Sequence, residues 1–352
     1  FAEKYRVDKD GKKNFAVVQA EDDLASIAMV GGAGWAGARA VTATSGPGLS
    51  LMAEAAGPSY YAGIPAVIWD VQRVGPSTGL PTRTMQGDLT SAYTLSHGDT
   101  KHVVLLPGSP SECFEFAQTA FDLAESLQTL VIVLSDLDIG MNLHVAHKFG
   151  YPTDRFLRGK VLNAEQLEKA GEFHRYRDVD GDGVPYRTLT GTAHPKAAYF
   201  TRGTGHDESG LYSESPEVYK ANMIRLAKKT ETAKTMVPKP ITDFKANVKV
   251  GVMMFGGTHE AVSEARYILG NQGLETNCTR VRALPLCGEV EEFLDSHERV
   301  YVIEQNRDGQ LMSIIRSELP QYSAKCHSVL HCDGMPLDAE TVVEQILKTE
   351  VP

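Results

Sequence analysis

Short apolar runs alternate along this chain with longer stretches of helical character. Phe15–Gln19, Arg39–Thr44, Ala66–Val71, Val103–Leu106 and Leu130–Leu134 read as strands, and Asp22–Ala38, Leu49–Tyr60 and Ser111–Leu127 as helices between them. Runs that are apolar throughout, and not merely at every second position, mark strands covered on both faces. That is the signature of a parallel sheet in an α/β fold. A loop rich in Gly, Pro and Thr, Gln72–Asp88, follows the third strand at the end where open α/β sheets place their ligands.

From His144 to Asn247 turn residues, aromatics and charges replace the alternation, and Glu217–Lys234 alone reads as a helix. The alternation resumes with strand Val248–Phe255, helix Glu260–Gln272, strand Thr276–Val281, strand Val300–Glu304, helix Leu311–Leu319, a strand near Val329 and helix Ala339–Lys348. The pattern divides the chain into residues 1–145, a linker with an irregular insertion at 146–247, and a smaller α/β unit at 248–352.

Composition narrows the function classes. Of 352 residues, 35 are Lys or Arg and 45 are Asp or Glu, a formal net charge of -10. A general nucleic-acid binder needs a basic surface to displace phosphate counterions, so that class is set aside. No apolar run is long enough for a bilayer-spanning helix, and no membrane partner is expected. Five scattered cysteines without a C-x-x-C pair read as free thiols in a reducing cytoplasm.

Several motifs tempt. Gly32-Ala33-Gly34-Trp35-Ala36-Gly37 spells G-x-G-x-x-G, but the next strand ends in Thr42-Ala43-Thr44-Ser45 without the acid that a dinucleotide ribose needs. A nucleotide-dependent dehydrogenase therefore stands as an alternative beside a helix packed closely through small residues. Asp178–Gly183 opens like a calcium loop, yet position 12 is Leu189, so a tight turn is expected. Cys326–Cys332 would split its ligands between two faces of an extended strand, and no metal ligands are assigned. Gln19-Ala20-Glu21-Asp22-Asp23 places acids at a strand-to-helix junction. They read either as helix N-terminal charge or as a carboxylate held beside a cofactor.

Taken together, VVQAEDDLASIAMVGGAGWAGARAVTATSGPGLSLMAEAAG, VIWDVQRVGPSTGLPTRTMQGDL and VIEQNRDGQL resemble the α subunit of the 2-oxoacid:ferredoxin oxidoreductases over nearly the whole chain. YRTLTGTAHPKAAYFTRGTGHDE is most similar to the 2-oxoglutarate branch, with pyruvate or branched-chain 2-oxoacids as alternatives. The resemblance implies a thiamine diphosphate-binding fold of the pyrimidine type for 1–145 and a transketolase C-terminal-like domain for 248–352. The family's first strand, with its substrate threonine, is expected to precede Phe1.

The family's chemistry assigns roles. A carboxylate at the pyrimidine N1′ activates thiamine diphosphate, and Glu21 matches it. Ser45, Gly46, Pro47 and Gly48 would let backbone approach the ring. Arg73 matches the arginine that takes the substrate carboxylate in a two-pronged grip, and Gly75, Pro76, Ser77, Thr78 and Arg83 would wall the pocket. For a second, distal carboxylate Arg83, His97, Lys101 and Arg202 are candidates. Mg²⁺, the diphosphate and a [4Fe-4S] cluster are expected on a β subunit. Coenzyme A would serve as co-substrate and ferredoxin as electron acceptor, with assembly as a dimer of heterodimers. Acidic ferredoxin would dock on the partner and not on this acidic chain.

Overall fold

The computed structural model describes residue 7, residues 9–150 and residues 156–350. The first unit begins with helix α1 (Asp23–Trp35), strand β1 (Val41–Thr44), helices α2 (Gly46–Leu51) and α3 (Ala53–Tyr61), and strand β2 (Ala66–Gln72). It continues through α4 (Leu89–Tyr93), β3 (Val103–Leu105), α5 (Pro110–Leu127), β4 (Leu130–Asp136) and α6 (Leu137–Met141). Its sheet runs β1-β2-β4-β3, all parallel, with Ile68 opposite Thr42 on one side and Ile132 on the other. Strand β4 is buried at every position, as its unbroken apolar run requires.

Phe15–Gln19 is a correction. The segment forms no strand, and Val17 and Val18 are 79% and 68% exposed. An apolar run becomes a strand only where a neighbour satisfies its backbone, and among the described residues none pairs with it. Helix α1 starts as the acids suggest, with the Asp22 carboxylate accepting from Ala25 N at 2.7 Å. The G-x-G-x-x-G motif begins inside this helix. A Cβ on Gly34 would lie 1.9 Å from the Pro65 carbonyl oxygen, so glycine is there for close helix–sheet packing.

The middle segment carries two further helices, α7 (Ala164–Ala170) and α8 (Pro216–Met236). It seals one side of the first unit through Tyr176 Oη to the Ala62 carbonyl at 3.1 Å and Lys229 Nζ to the Gln128 carbonyl at 3.1 Å. Asp178–Gly183 is the expected tight turn, with Asp178 accepting from the Asp182 and Gly183 amides. The Lys160 ammonium sits among Asp180, Asp182 and the Val184 carbonyl at 2.7–2.8 Å, a fixed cation supplied by the chain itself.

The last unit comprises β5 (Ile241–Asp243), β6 (Val250–Phe255), α9 (His259–Asn271), β7 (Thr276–Val281), β8 (Ala283–Leu284), α10 (Gly288–Asp295), β9 (Arg299–Glu304), α11 (Gln310–Glu318), β10 (Cys326–Leu330) and α12 (Ala339–Glu350). Its sheet order is β10-β9-β6-β7-β5, with β5 antiparallel at the edge. Strand β8 leaves this sheet and pairs antiparallel with β3, so the two sheets are joined by one residue, Arg282. The joint is reinforced by Glu112 on α5. It takes two bonds from Arg280 at 2.6 and 2.8 Å, one from Gly108 N at 2.7 Å, and an ion pair with Arg282 Nε at 2.8 Å.

Candidate active site

The cleft lies where β1 and β2 end, facing the loop after β9. It encloses about 550 Å³ between Gly46, Pro47, Arg73, Gly75, Pro76, Ser77 and Asp88 on one side and Arg307, Asp308, Gln310 and Cys332, after β9 and β10, on the other. Gln72 ends β2, so Arg73 is the first residue past the strand. The loop that follows is folded back by Val74 N to the Arg83 carbonyl at 3.0 Å and Leu80 N to the Val74 carbonyl at 3.2 Å. Gly79 has φ +49° and lies so near the Val74 carbonyl that a Cβ would stand 2.1 Å away.

The far end of that loop is gripped by the last unit. Fully buried Gln86 donates to the Phe255 carbonyl at 2.9 Å and accepts from Gln305 N at 3.0 Å. Asn306 donates to the Gln86 carbonyl at 3.0 Å. Gln310 holds Gly87 and Thr90 at 2.6 and 2.9 Å. The cleft wall is thus a strap tied at one end to the parallel sheet and at the other to the C-terminal end of β9.

Ser45 and Gly48 flank the lining residues Gly46 and Pro47 without lining the cleft, and Glu21 does not line it. Thr44 Oγ1 donates to Asp23 at 2.9 Å, and a Cβ on Gly48 would fall 2.0 Å from that hydroxyl. The start of α1 is therefore pinned to the turn into α2 through Asp23, and Glu21 precedes that contact by two residues. Its carboxylate is exposed, and the strand expected to carry it is absent. Thr78 and Arg83 are exposed on the loop. Of the distal candidates, His97 lines a different cavity, Lys101 is paired with Glu318 at 2.6 Å, and Arg202 is bonded to the Gly210 carbonyl at 3.1 Å.

Among the residues in and behind the cleft that escaped the sequence reading, Arg307, Asp88 and Asp70 matter most for its charge. Arg307 sits in the matched run VIEQNRDGQL but gave no sign of which cavity it faces. Asp88 closes the loop, and Asp70 stands behind it on β2, 0% exposed with both carboxylate oxygens unpartnered. A charge inside the apolar run AVIWDV was the available signal. Burial pushes Asp70 well above the ordinary carboxylate range and Asp88 up to about 6, while Arg73 draws both back. The Arg73 guanidinium makes no hydrogen bond or ion pair among the described residues, and its Nε is buried without a partner. It is a cation poised to take an anion.

A chain with a parallel sheet, a glycine turn against an acidic helix start and an unpaired arginine at a strand end can be set against known proteins. A family model for the pyruvate flavodoxin/ferredoxin oxidoreductase thiamine diphosphate-binding domain matches residues 2–223. The chain belongs to the 2-oxoacid:ferredoxin oxidoreductase family. It is 36% identical over 95% of its length to the α subunit of 2-oxoacid:ferredoxin oxidoreductase 2 from Aeropyrum pernix, covering 52% of that protein. It is 32% identical to the 2-oxoglutarate synthase subunit KorA of Methanothermobacter marburgensis, over 82% of this chain and 75% of the relative. The 2-oxoglutarate:ferredoxin oxidoreductase of Magnetococcus marinus, solved with 2-oxoglutarate, coenzyme A and succinyl-CoA bound, superposes with TM-score 0.84 at 31% identity. That match covers 96% of this chain and 57% of the other. A split-gene transketolase with TM-score 0.52 and 12% identity, covering 96% and 83% of the two chains, shares the fold. The chain spans about half the length of the first of these relatives.

Family membership brings thiamine diphosphate into view, and the residues fit one end of it. Glu21 offers an exposed carboxylate at the start of the segment pinned to the turn into α2, where Gly46 and Gly48 are held close to Asp88, Thr44 and Asp23. Among the described residues no group of three or more His, Cys, Asp or Glu is placed to hold a metal ion. No described helix is long and apolar enough to cross a membrane.

Proposed function

We propose that this chain is the α-type part of a coenzyme A-dependent 2-oxoglutarate:ferredoxin oxidoreductase, holding the ring end of thiamine diphosphate and the substrate carboxylates. The observation that carries the reading is Arg73: a guanidinium at a strand end, facing a cleft, with no hydrogen bond or ion pair to the described residues. Arg side chains of that kind take carboxylates through paired charge-assisted bonds. Bound thiamine diphosphate would supply the carbon nucleophile for attack on a 2-oxo group. The chain's part is to fix that ring through Glu21 and to orient the 2-oxoacid through Arg73.

Arg307 takes the role of the distal-carboxylate cation in place of Arg83, His97, Lys101 and Arg202. It lines the same cleft as Arg73 and, among the described residues, is held by Asp308 alone, at 2.7 and 3.0 Å on an exposed surface. A pair that exposed is worth little, so a substrate dicarboxylate can displace it. A β-type polypeptide, expected to bring the diphosphate, Mg²⁺ and iron–sulfur cluster, would cover Glu21 and its apolar neighbours Val17, Val18 and Leu24, all exposed here. We place ferredoxin docking on that partner, with the assembly paired into a dimer of heterodimers. The G-x-G-x-x-G motif lies within and at the end of α1, which argues against a dehydrogenase built on it.

The test is the complex assembled with its partner, assayed with coenzyme A and a viologen dye. Glu21→Ala should lower turnover at least about 100-fold, the ordinary scale for removing a group that handles a proton. Arg307→Ala should raise KM for 2-oxoglutarate about tenfold or more and leave KM for pyruvate unmoved. Near-normal turnover without Glu21, or an equal KM change for both acids, removes those roles.

A further inference from the structure

The cleft holds more acid than anion capture calls for. Asp88 lies on the wall beside Arg73, and Asp70 lies behind it at 0% exposure with no hydrogen-bond donor to either oxygen. Asp88 has an unpartnered, buried Oδ2, and its backbone amide is tethered to the Gln72 side chain at 3.1 Å. Gly46 presses against it: a Cβ there would stand 2.9 Å from both Asp88 oxygens, so the carboxyl is held in place by packing.

The charges around Asp88 can be named element by element. Arg73 and Asp70 come from β2 and its end. Asp23, at the start of α1, is tied to Thr44. Arg307 and Asp308, after β9, pair with each other. Tyr93, at the far end of α4, donates to Glu318, and Cys332 lies past β10. Arg73 is therefore the one cation in this cleft whose charge the described residues leave unpaired. With both acids ionised the trio Asp70, Asp88 and Arg73 carries one net negative charge at the place where a carboxylate must bind. With both protonated it carries one positive charge.

We propose that Asp88 is a positioning residue for Arg73: protonated, it leaves the guanidinium to the substrate carboxylate, and ionised, it competes for it, so the 2-oxoacid binds together with a proton. This rests on the reading of Arg73 as the substrate cation. Burial favours the protonated form of both acids: it pushes Asp70 well above the ordinary carboxylate range and Asp88 up to about 6. Linkage gives the sign. An anion on Arg73 favours protonated Asp88, and protonated Asp88 favours the anion by the same factor. Substrate affinity is highest below pH 6 and falls above it, by at most about tenfold per pH unit, until the bound complex also loses the proton.

The experiment measures KM for 2-oxoglutarate and competitive inhibition by glutarate, an unreactive dicarboxylate, on the assembled complex from pH 5.5 to 8. The wild type should show both constants rising at least about fivefold above pH 6. Asp88→Asn should lower both at pH 8 and vary less than about twofold across the range, with kcat moving less than KM. Asp88→Ala, which keeps no carboxyl and asks less of the packing, should flatten the profile in the same way if the Asn variant does not assemble. A variant profile as steep as the wild type overturns the proposal while leaving Arg73 in its role. Arg73→Met with unchanged KM and glutarate inhibition instead removes the reading of the site itself, and the proposal with it.

Discussion

Glu112 is the most consequential single acid for the architecture, and its removal can be worked through. The side chain is 7% exposed, as is Arg280. Its two oxygens take two bonds from Arg280, one from Gly108 N, and the Arg282 ion pair. Glu112→Ala strands a buried guanidinium and a buried amide. Breaking a buried pair from one side costs about 3–5 kcal/mol, because the remaining charge stays desolvated. For a chain of 352 residues, about 4 kcal/mol corresponds to a loss of roughly 5 °C in Tm. Glu112→Ala/Arg280→Met removes both charges and should recover all but about 1–2 kcal/mol, giving a coupling energy of at least about 2 kcal/mol. Burial alone would raise the Glu112 pKa, but the Arg280 bonds, the Gly108 amide and both guanidinium charges outweigh it and hold it below the ordinary value. A depressed carboxylate stabilises above its unfolded pKa and loses that contribution as pH falls through the folded one. The wild type should therefore lose stability in acid faster than the double variant. Thermal melting with a urea series provides the measurement. A Glu112→Ala penalty under about 1 kcal/mol, typical of an exposed pair, or a double variant no better than the single, would refute the weld.

Two further expectations concern stability. Lys229 is 4% exposed, its ammonium bonded to the Gln128 carbonyl, with Arg225 and Arg175 as its charged neighbours. Burial, and then those two cations, push its pKa well down, so folding disfavours its proton and stability falls as pH drops below the free lysine value. Lys229→Met should melt higher than the wild type and with less pH dependence, read by scanning calorimetry. Gly32→Ala and Gly34→Ala should act in opposite senses within one motif. A Cβ at Gly32 meets nothing within 4 Å, so alanine adds about 0.5–1 kcal/mol of helix stability, whereas at Gly34 it strikes the Pro65 carbonyl and costs about 1–3 kcal/mol or more. Thermal melts of the two variants separate a packing glycine from a mere spacer.

The fold was legible where apolar period alone decides structure. Strands β2, β4, β6 and β9 are buried at almost every position, and a continuous apolar run has few other ways to be satisfied. Phe15–Gln19 looked the same and failed, because strand formation is settled by a neighbour and not by the segment. Strand β8 was missed for the reverse reason. Two residues one step beyond β7 carry no turn signal, and their partner, β3, lies some 180 positions earlier in the chain. In the site, Arg73 could be placed because a strand end and a following Gly/Pro loop are local features. Asp70, Asp88 and Arg307 could not, since their meeting depends on Gln86 and Asn306 strapping the loop to the last unit.

That strap also explains why so exposed a loop can hold a cleft. Pro76 to Arg83 are open to solvent and tied mainly through Val74. A wall of this kind would wander if its only anchor were β2. Burying Gln86 in bonds to Phe255, Gln305 and Asn306 fixes the second end on the sheet that carries Arg307. The distance between the two arginines is therefore set by the contact between the two units, not by the loop. The Glu112 cluster and β8 hold the same contact on the side of Gly108 and Gly256, where a Cβ on Gly108 would strike the Gly256 carbonyl at 2.8 Å. A change that loosened this joint would alter the spacing of the two cations before it touched either of them. Dicarboxylate binding should then suffer more than binding of a monocarboxylate that needs Arg73 alone.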